Sequence, residues 1–337
     1  MKNQITTLLT QVGLILMFAN FSTAQVHFVQ VSKQDTSFCA RIIETTTPRN
    51  FEVNIANGSS GPNMIKKYKN SETPNWSLIS NNTIPSSDIY QYKTFKSFLY
   101  NGKPTVAYAN NSNGIVIAQW NELSNQYLPI LPTLTSSYLG QFDVSVNPIT
   151  NQIYVTCEYV ITSTSIYVYH YNGSNWILDL NLYNPYGPTY SLNQPNIYFA
   201  DSTLYLAGIA KDTMRVCKQN YTLFTGGNTM SPSTLLTASN PVSVKASEYS
   251  MEGMPGQEPY FATYNQTTGN LSLSDLQGNI ISFLGGINLI ANTVARLNLA
   301  FKSGTPQILL TSINGTTATS KIITLSGGSL TLGLDVS

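Results

Sequence analysis

The fold assignment rests first on one stretch, Gln141–Tyr159, which reads QFDVSVNPITNQIYVTCEY. Its two halves, Gln141–Val146 and Ile153–Tyr159, are rich in β-branched and aromatic residues that alternate with polar ones, as in a β-strand. Between them, Asn147–Asn151 combines a proline with two asparagines and is typical of a tight turn. The stretch therefore predicts a β-hairpin.

Two further predicted strands follow this hairpin, at Ser165–Tyr171 and Trp176–Leu180, and Asn172-Gly173 marks the turn between them. Four such strands in sequence predict one antiparallel meander. The same order recurs along the chain about six times. The first set is predicted at His27–Val31, Phe38–Ile43, Met64–Tyr68 and Trp76–Ile79, and the fifth set is predicted to begin at Val242–Ala246.

Aromatic residues mark the fourth strand of the first four sets, at Trp76, Tyr127, Trp176 and Tyr221. Repeats of roughly 40 to 50 residues with four strands each are typical of β-propeller blades. The sequence thus predicts an all-β chain that forms a β-propeller of about six four-stranded blades. Seven blades stay open because the loop-rich stretches 45–62 and 225–258 leave room for more strands. Tandem β-sandwiches are the alternative fold.

One segment, Val144–Thr156, resembles the blade motif of the YVTN/NHL-type propellers, in which Asn-Pro-x-Thr-Asn precedes Ile-Tyr-Val. A second segment, Asn101–Tyr108, is similar to another propeller pattern in which Asn-Gly-x-Pro leads into a strand. The resemblance implies the propeller fold. Because propellers with these motifs serve as binding platforms, scaffolds and occasionally enzymes, it does not imply one activity.

The N-terminus predicts a signal peptide over residues 1–24. Lys2 precedes the largely apolar run Ile5–Phe21, and Ser22-Thr23-Ala24 provides small residues before the predicted cleavage site. A membrane anchor is the alternative, but Thr, Gln and Asn interrupt the run. Export to the extracellular space is predicted, or to the periplasm or cell surface in a bacterium. The mature chain, 25–337, is predicted to be one propeller domain with blades at approximately 25–82, 83–132, 133–183, 184–226, 227–286 and 287–337.

Charge and cysteine content exclude several functions. Without Lys2 the chain carries 16 basic and 16 acidic residues. It has no basic stripe, so a nucleic-acid partner is not expected. Three cysteines, at positions 39, 157 and 217, cannot form a complete set of disulfides, and we expect small buried core residues. One disulfide with a free thiol is the alternative. No cofactor-binding motif is present.

No catalytic or metal-binding motif stands out. The two histidines, His27 and His170, fall on different predicted blades, and no spacing typical of zinc or calcium ligands occurs. The weak catalytic candidates are carboxylates, since glycoside hydrolysis uses two of them. They are Asp143, on a first strand that is expected to line the central channel, and Glu252 and Glu258, which are expected in a long loop.

Aromatic and asparagine residues supply the remaining candidates. Tyr183, Tyr186 and Tyr190 are predicted in a loop between blades, where an exposed cluster would suit ligand binding, whereas the tryptophans are expected to pack between blades. Sequons for N-glycosylation would be used only in a eukaryotic secretory pathway. They occur at Asn57, Asn75, Asn81, Asn110, Asn172, Asn220, Asn265, Asn270 and Asn314.

Three functions are compatible with these features. The leading hypothesis is a secreted or surface-associated, non-enzymatic propeller that binds a glycan or a protein through one face or its loops. A glycoside-active enzyme that uses channel carboxylates is the second hypothesis. A structural component of a coat or matrix is the third.

Overall fold

The computed structural model describes seventeen segments of the chain. In these segments every regular element is a β-strand, and no helix could cross a membrane. The described residues are 37–44, 51–57, 64–70, 76–80, 84, 95–110, 114–135, 139–159, 165–182, 192–201, 203–210, 213–220, 248–254, 256–287, 294–302, 304–314 and 317–336. The predicted signal peptide and the strand His27–Val31 lie outside them.

The described strands form six antiparallel sheets that follow one another along the chain. Sheet one contains β1 (Ser37–Glu44), β2 (Phe51–Asn57), β3 (Met64–Asn70) and β4 (Trp76–Ser80). Sheet two contains β5 (Phe95–Tyr100), β6 (Lys103–Ala109), β7 (Gly114–Asn121), β8 (Gln126–Pro129) and β9 (Leu134–Thr135), with β9 paired to β7. Sheet three contains β10 (Leu139–Val146), β11 (Ile153–Tyr159), β12 (Ser165–Tyr171) and β13 (Trp176–Leu182).

The second half of the chain continues in the same way. Sheet four has three described strands, β14 (Leu192–Ala200), β15 (Thr203–Ala210) and β16 (Thr213–Asn220). Sheet five contains β17 (Glu248–Glu252), β18 (Tyr260–Asn265), β19 (Asn270–Ser274) and β20 (Ile280–Leu284). Sheet six contains β21 (Val294–Lys302), β22 (Thr305–Asn314), β23 (Thr317–Ser326) and β24 (Ser329–Val336).

The first strands of successive sheets contact each other. β1 meets β5, β5 meets β10, β10 meets β14, β14 meets β17, and β17 meets β21. Strand order within each sheet follows the sequence, so every sheet begins at this inner position and runs outward. This is the arrangement of a six-bladed β-propeller, and it confirms the predicted fold class.

The hydrophobic core lies between the faces of neighbouring blades. Between blades two and three, for example, Ile115 and Ile117 of β7 share one buried cluster with Val144 of β10 and Val155 of β11. The other face of β7 buries Val116 and Ala118 in a second cluster, so this strand buries apolar residues on both faces and its alternation in sequence is incomplete. Cys157 lies in this cluster as a free thiol, and burial followed by the neighbouring Glu158 raises its pKa.

Two inner regions differ from the sequence prediction. In blade one, Phe38–Ile43 was expected as the second strand, but β1 at this position is the first. The second strand is β2, in the loop-rich stretch 45–62, where no strand was assigned but room for one was left open. In blade five, β17 forms the first strand within the expected loop 225–258, while Val242–Ala246 lies outside the described residues.

Polar residues explain both differences. The sequence of β2, FEVNIAN, contains a glutamate and two asparagines among seven residues, and that of β17, EYSME, has glutamate or serine at every second position. These residue types are depleted in strands, so the two segments were interpreted as loops. Both strands belong to the six sheets and do not add a seventh.

The turn of the opening hairpin depends on Asn147. Its side chain is fully buried, and Oδ1 accepts hydrogen bonds from the N–H groups of Ile149 (2.8 Å) and Thr150 (3.1 Å). Asn151 adopts a positive φ of 56°, which asparagine tolerates better than most residues. Its Nδ2 donates to Oδ1 of Asn101 at 2.6 Å, so the turns of blades two and three are joined.

We expect Asn147→Ala to lower the free energy of unfolding by about 2 kcal/mol, because two N–H groups lose an acceptor whose side chain is itself fully buried. The matched control is Asn172→Ala. Oδ1 of Asn172 accepts two N–H groups at 2.9 Å in an exposed turn, so water can replace it and the cost should be below about 1 kcal/mol. Urea unfolding measures both values, and equal costs would contradict this explanation.

Candidate functional site

Polar side chains collect at two places along the inner strands of blades three to five. We call the first the inner seam, and define it by Asp143, Glu158, Gln194, Glu248 and Tyr249. We call the second the loop face, and define it by residues 253, 254 and 256–259 with Tyr198, Asp201, Tyr205, Glu252 and Tyr260. The inner seam lies toward the start of the first strands, and the loop face lies beyond their ends.

Asp143 connects three blades. It is only 5% exposed, and its Oδ1 forms an ion pair with Nζ of Lys96 on β5 at 2.9 Å. Its Oδ2 accepts the N–H of Ile197 on β14 at 3.1 Å. Both oxygens therefore hold the inner strands together, and the carboxylate that was predicted to line the channel has a structural role in this geometry.

The same kind of contact recurs between the next blades. Oδ1 of Asn196 accepts the N–H of Met251 at 3.1 Å, and Oγ of Ser250 accepts the N–H of Leu299 at 3.0 Å. In each case a polar side chain of one first strand binds the backbone of the next first strand. Because edge N–H groups must find acceptors, this ladder accounts for the polar residues of the inner strands.

Gln194 is the centre of the inner seam. It lies in a β-bulge of β14 with a positive φ of 55°, a strained conformation for a residue other than glycine. Its N–H donates to Oε1 of Glu158 at 2.5 Å, and its Nε2 donates to Oε2 of Glu248 at 3.3 Å. The hydroxyl of Tyr249 donates to its carbonyl oxygen at 2.5 Å.

Sequence reasoning missed Glu158 and Glu248. The other oxygen of Glu158, Oε2, accepts the N–H of Gln141 at 3.1 Å, so this carboxylate holds the starts of β10 and β14. Glutamates near strand ends are ordinary in sequence and carry no signal of a shared partner. Their convergence depends on blade packing and becomes visible only in three dimensions.

The raised pKa of two buried tyrosines lets us predict how the stability of the fold depends on pH. Burial raises the pKa of Tyr249, and the carboxylates of Asp143, Glu248 and Glu158 raise it further. Burial also raises the pKa of Tyr198, with Glu252, Tyr205 and Asp201 adding to the effect. Both hydroxyls thus stay protonated in the folded chain above the pH at which they ionise when unfolded.

A tyrosine in the unfolded chain has a pKa of about 10. The stability that the two buried tyrosines contribute is complete below this pH and is lost as the pH rises above it. We expect the free energy of unfolding to fall between pH 9 and pH 11 in urea titrations. The variant Tyr249→Phe should show a smaller fall because one titrating group is gone. A stability that is flat over this range, or an unchanged slope in the variant, would contradict the assignment.

The loop face is built on a tight connection between β17 and β18. The N–H of Gln257 donates to the carbonyl of Met254 at 2.9 Å, and Gly256 adopts a positive φ of 74°. The hydroxyl of Tyr198 also donates to the Met254 carbonyl, at 2.6 Å. Gly253 lies so close to Tyr198 that an added Cβ would be 2.6 Å from the hydroxyl oxygen. The loop is therefore fixed on the Tyr198 ring of blade four.

Three carboxylates surround this loop. Glu258 is exposed, and its oxygens accept hydrogen bonds from the hydroxyl of Tyr205 (3.3 Å) and from Nε2 of Gln277 (3.4 Å). Asp201 is exposed in the β14–β15 turn, and an added Cβ on Gly256 would lie 3.3 Å from its Oδ1. Glu252, which was expected in a loop, instead ends β17 and is half-buried. The loop face thus contains Glu252 and Glu258, which lie on either side of the loop in sequence, and also Asp201.

Aromatic rings border the carboxylates. Tyr260 begins β18 directly after the loop, and its ring centre lies 5.6 Å from that of Phe301 on β21. Both rings are half-buried between blades five and six. The loop reaches toward the β21–β22 turn, since Sδ of Met254 would lie 3.6 Å from an added Cβ on Gly304. The loop face therefore has contacts with blades four, five and six.

The remaining candidates lie elsewhere. Tyr183, Tyr186 and Tyr190 are outside the described residues, as are Asn75, Asn81 and His27. His170 on β12 pairs with Asp179 on β13 through Nδ1 and Oδ2 at 2.7 Å and stacks on Tyr154. The other sequons fall on strand ends or turns of the described chain, at Asn57, Asn110, Asn172, Asn220, Asn265, Asn270 and Asn314.

Two tryptophans take part in packing. Trp120 is 9% exposed and meets Tyr127 edge to face, with ring centres 5.2 Å apart. Nε1 of Trp176 donates to the carbonyl of Pro132 at 2.7 Å, which ties blade three to the end of blade two. The side chain of Trp76 is outside the described residues. Among the described residues no three His, Cys, Asp or Glu side chains converge as metal ligands.

The loop face has the chemistry of a polyol-binding surface. Carboxylate oxygens accept hydrogen bonds from hydroxyl groups, and an ionised carboxylate makes them stronger than a neutral acceptor does. Half-buried aromatic rings offer apolar area beside them. Such a combination fixes the orientation of a small polar ligand, whereas the carboxylates of the inner seam already bind backbone groups.

The fold is similar to those of several solved propellers. No family model matches the chain, and no curated protein matches it. A fungal lectin from Aleuria aurantia, described as a six-bladed β-propeller with a novel fucose recognition mode, is 12% identical. The match covers 88% of this chain and 94% of that chain, with a TM-score of 0.56.

Two further structures show the same likeness. The SapL1 lectin, in complex with α-methyl fucoside, is 12% identical over 92% of this chain and 98% of that chain, with a TM-score of 0.55. The periplasmic gluconolactonase of Pseudomonas aeruginosa is 11% identical over 85% of this chain and 82% of that chain, with a TM-score of 0.50. These likenesses show the six-bladed propeller fold, while the YVTN/NHL-type resemblance stays a prediction.

Proposed function

We propose that the chain is an exported, non-enzymatic β-propeller that binds a glycan through the loop face. The observation that carries this proposal is the position of Asp201, Glu252 and Glu258, with the half-buried rings of Tyr260 and Phe301, around one tightly bonded loop. The likeness to propeller lectins supports it, since solved propellers of similar fold bind fucose or α-methyl fucoside. Glycan hydroxyls would donate to the carboxylates, and a sugar ring would lie against Tyr260.

Export is part of the same proposal. The N-terminal features of residues 1–24 support a signal peptide, and the polar but weakly charged composition suits an extracellular protein. We place the propeller at 25–337, with the six blade ranges derived from the sequence. A protein partner, rather than a glycan, is the other ligand class that the loops would suit.

The inner seam is the weaker of the two candidates for a ligand site. Both oxygens of Glu158 and both oxygens of Asp143 accept hydrogen bonds or an ion pair from neighbouring strands. A ligand could use them only by breaking contacts between blades. Glu258 and Asp201 are exposed, and Glu258 accepts hydrogen bonds from side chains, the hydroxyl of Tyr205 and Nε2 of Gln277, rather than from the backbone of an inner strand.

A glycan array tests the proposal, followed by titration calorimetry with the best ligand. We expect Tyr260→Ala to weaken binding at least tenfold because it removes the ring beside the loop. The control Glu122→Gln changes an exposed carboxylate in the β7–β8 turn of blade two and should leave binding unchanged. No binding on the array, together with a pull-down that recovers only a protein partner, would sink the glycan proposal.

A glycoside-active enzyme remains the second candidate because Glu158 and Glu248 share Gln194 as a hydrogen-bond partner. Two neighbouring carboxylates are the minimum that glycoside hydrolysis requires. If the chain is such an enzyme, Glu248→Gln should abolish turnover on a glycan that the wild type cleaves, and Glu252→Gln and Glu258→Gln should not. No turnover by the wild type on a broad glycan panel would reject this candidate.

A further inference from the structure

We propose that the outer edge of blade five is an interface through which two copies of this chain form a symmetric dimer. The interface is the apolar patch, which we define by Ile280, Ile281 and Phe283 on β20 with Leu332 on β24. The proposal is independent of the glycan-binding function, because none of these residues belongs to the loop face. It identifies a second copy of the chain as the partner.

The apolar patch consists of large side chains that remain exposed on the folded chain. Their exposed fractions are 58% for Ile280, 40% for Ile281, 52% for Phe283 and 52% for Leu332. The two strands are neighbours, since β20 contacts β24 and Oγ of Ser282 accepts the N–H of Leu330 at 2.8 Å. Exposed apolar side chains on neighbouring strands form one surface, and a surface of this kind marks an interaction site.

A β-bulge in β20 places three of these side chains next to each other. Ile280 pairs with Ser274 and Ser282 pairs with Leu273, so Ile281 is an extra residue opposite β19. A bulge redirects side chains and interrupts the regular hydrogen bonding of an outer strand. The apolar patch therefore suits side-chain packing against a partner better than the addition of a further strand.

The outer segments of blades five and six carry no charge, which favours a second copy as the partner. Residues 276–287 and 322–334 contain no Asp, Glu, Lys or Arg. Two such surfaces can pack together without burying a charge, whereas a partner with charged side chains would leave those charges unpaired. The whole chain has 17 basic and 16 acidic residues, so the electrostatic repulsion between two copies is weak.

The area of the apolar patch matches what a dimer needs. From their exposed fractions, the four side chains present roughly 400 Å² of apolar surface, within the range of the largest functional patches on monomers. One side of a standard interface buries about 800 Å², of which somewhat more than half is apolar. The patch therefore supplies most of the apolar area of a symmetric interface, in which the same surface of both copies meets.

Sedimentation velocity of the purified chain, from about 1 to about 100 µM, tests the proposal. We expect an equilibrium between monomer and dimer in which the dimer is lost on dilution. Phe283→Lys and Ile280→Lys should each weaken the dimer about tenfold or more, because two-fold symmetry brings two like charges into an apolar interface. Leu123→Lys is the matched control. Leu123 is 97% exposed in the β7–β8 turn of blade two, so the same added charge should leave the dimer unchanged.

Circular dichroism checks that each variant keeps its β-structure. A wild-type chain that stays monomeric at about 100 µM would overturn the proposal, and the apolar patch would then be covered by a different protein or by another part of the same chain. A dimer that both β20 variants leave intact would overturn it as well, because the contact would lie elsewhere. Equal weakening by Leu123→Lys would show an effect of total charge and would contradict the interface.

Discussion

Replacing Asp143 by alanine should lower the free energy of unfolding by about 3 kcal/mol, because the change leaves Lys96 without its partner in a largely buried position. The N–H of Ile197 loses its acceptor in the same step. Since the carboxylate connects β5, β10 and β14, the loss should affect blades two, three and four together. Urea unfolding of the purified chain measures the change.

A double-mutant cycle separates the ion pair from the backbone contact. Asp143→Asn keeps an acceptor for Ile197 and removes the charge, while Lys96→Met removes the cation and retains much of the apolar stem. The two charge-removing variants should be less than additive, since each destroys the same ion pair. A cost below about 0.5 kcal/mol for Asp143→Ala would show that the inner strands do not depend on this contact.

Replacing Gly253 by alanine should abolish glycan binding while the propeller remains folded. The new Cβ would lie 2.6 Å from the hydroxyl oxygen of Tyr198 and 2.7 Å from its Cζ. Because this ring is buried and bonded to Met254, the loop must move instead, at a cost of about 1–3 kcal/mol. Movement of the loop would displace Glu258 from Tyr205 and change the spacing of the carboxylates.

Gly285→Ala is the matched control for this variant. Its new Cβ would approach Cε1 of Phe283 at 3.1 Å, but that ring is 52% exposed and can turn away. We expect normal binding and a smaller loss of stability in the control. Circular dichroism checks that both variants keep their β-structure, and calorimetry measures binding. Normal binding by Gly253→Ala would mean that the loop geometry is irrelevant to the ligand.

The sequence predicted the propeller because regular turns and aromatic markers reveal strand sets without tertiary information. The hairpin of blade three is the clearest case, since Asn147 and Asn151 are the residues that the turn geometry requires. The strands β2 and β17 were missed because one face of each strand carries polar residues, which are Glu and Asn in β2 and Glu and Ser in β17. In β17 the polar Ser250 is needed to bind Leu299 of the next blade, a requirement that is not visible locally.

Candidate residues show a similar limit. Asp143 was expected on an inner strand and lies on one, but its partners Lys96 and Ile197 are far away in sequence, so its structural contacts could not be anticipated. Glu252 and Glu258 were named as loop carboxylates, whereas Asp201 was overlooked because a single aspartate in a short turn is common. Only the packing of blade four against blade five brings the three together.

We propose that ligands bind at the loop face rather than at the inner seam. Calorimetry with the best glycan from the array, on Gly253→Ala and Asp143→Asn measured side by side, distinguishes these two sites. We expect Gly253→Ala to bind at least tenfold more weakly, while Asp143→Asn binds like the wild type. Loss of binding in Asp143→Asn with normal binding in Gly253→Ala would instead place the ligand in the inner seam.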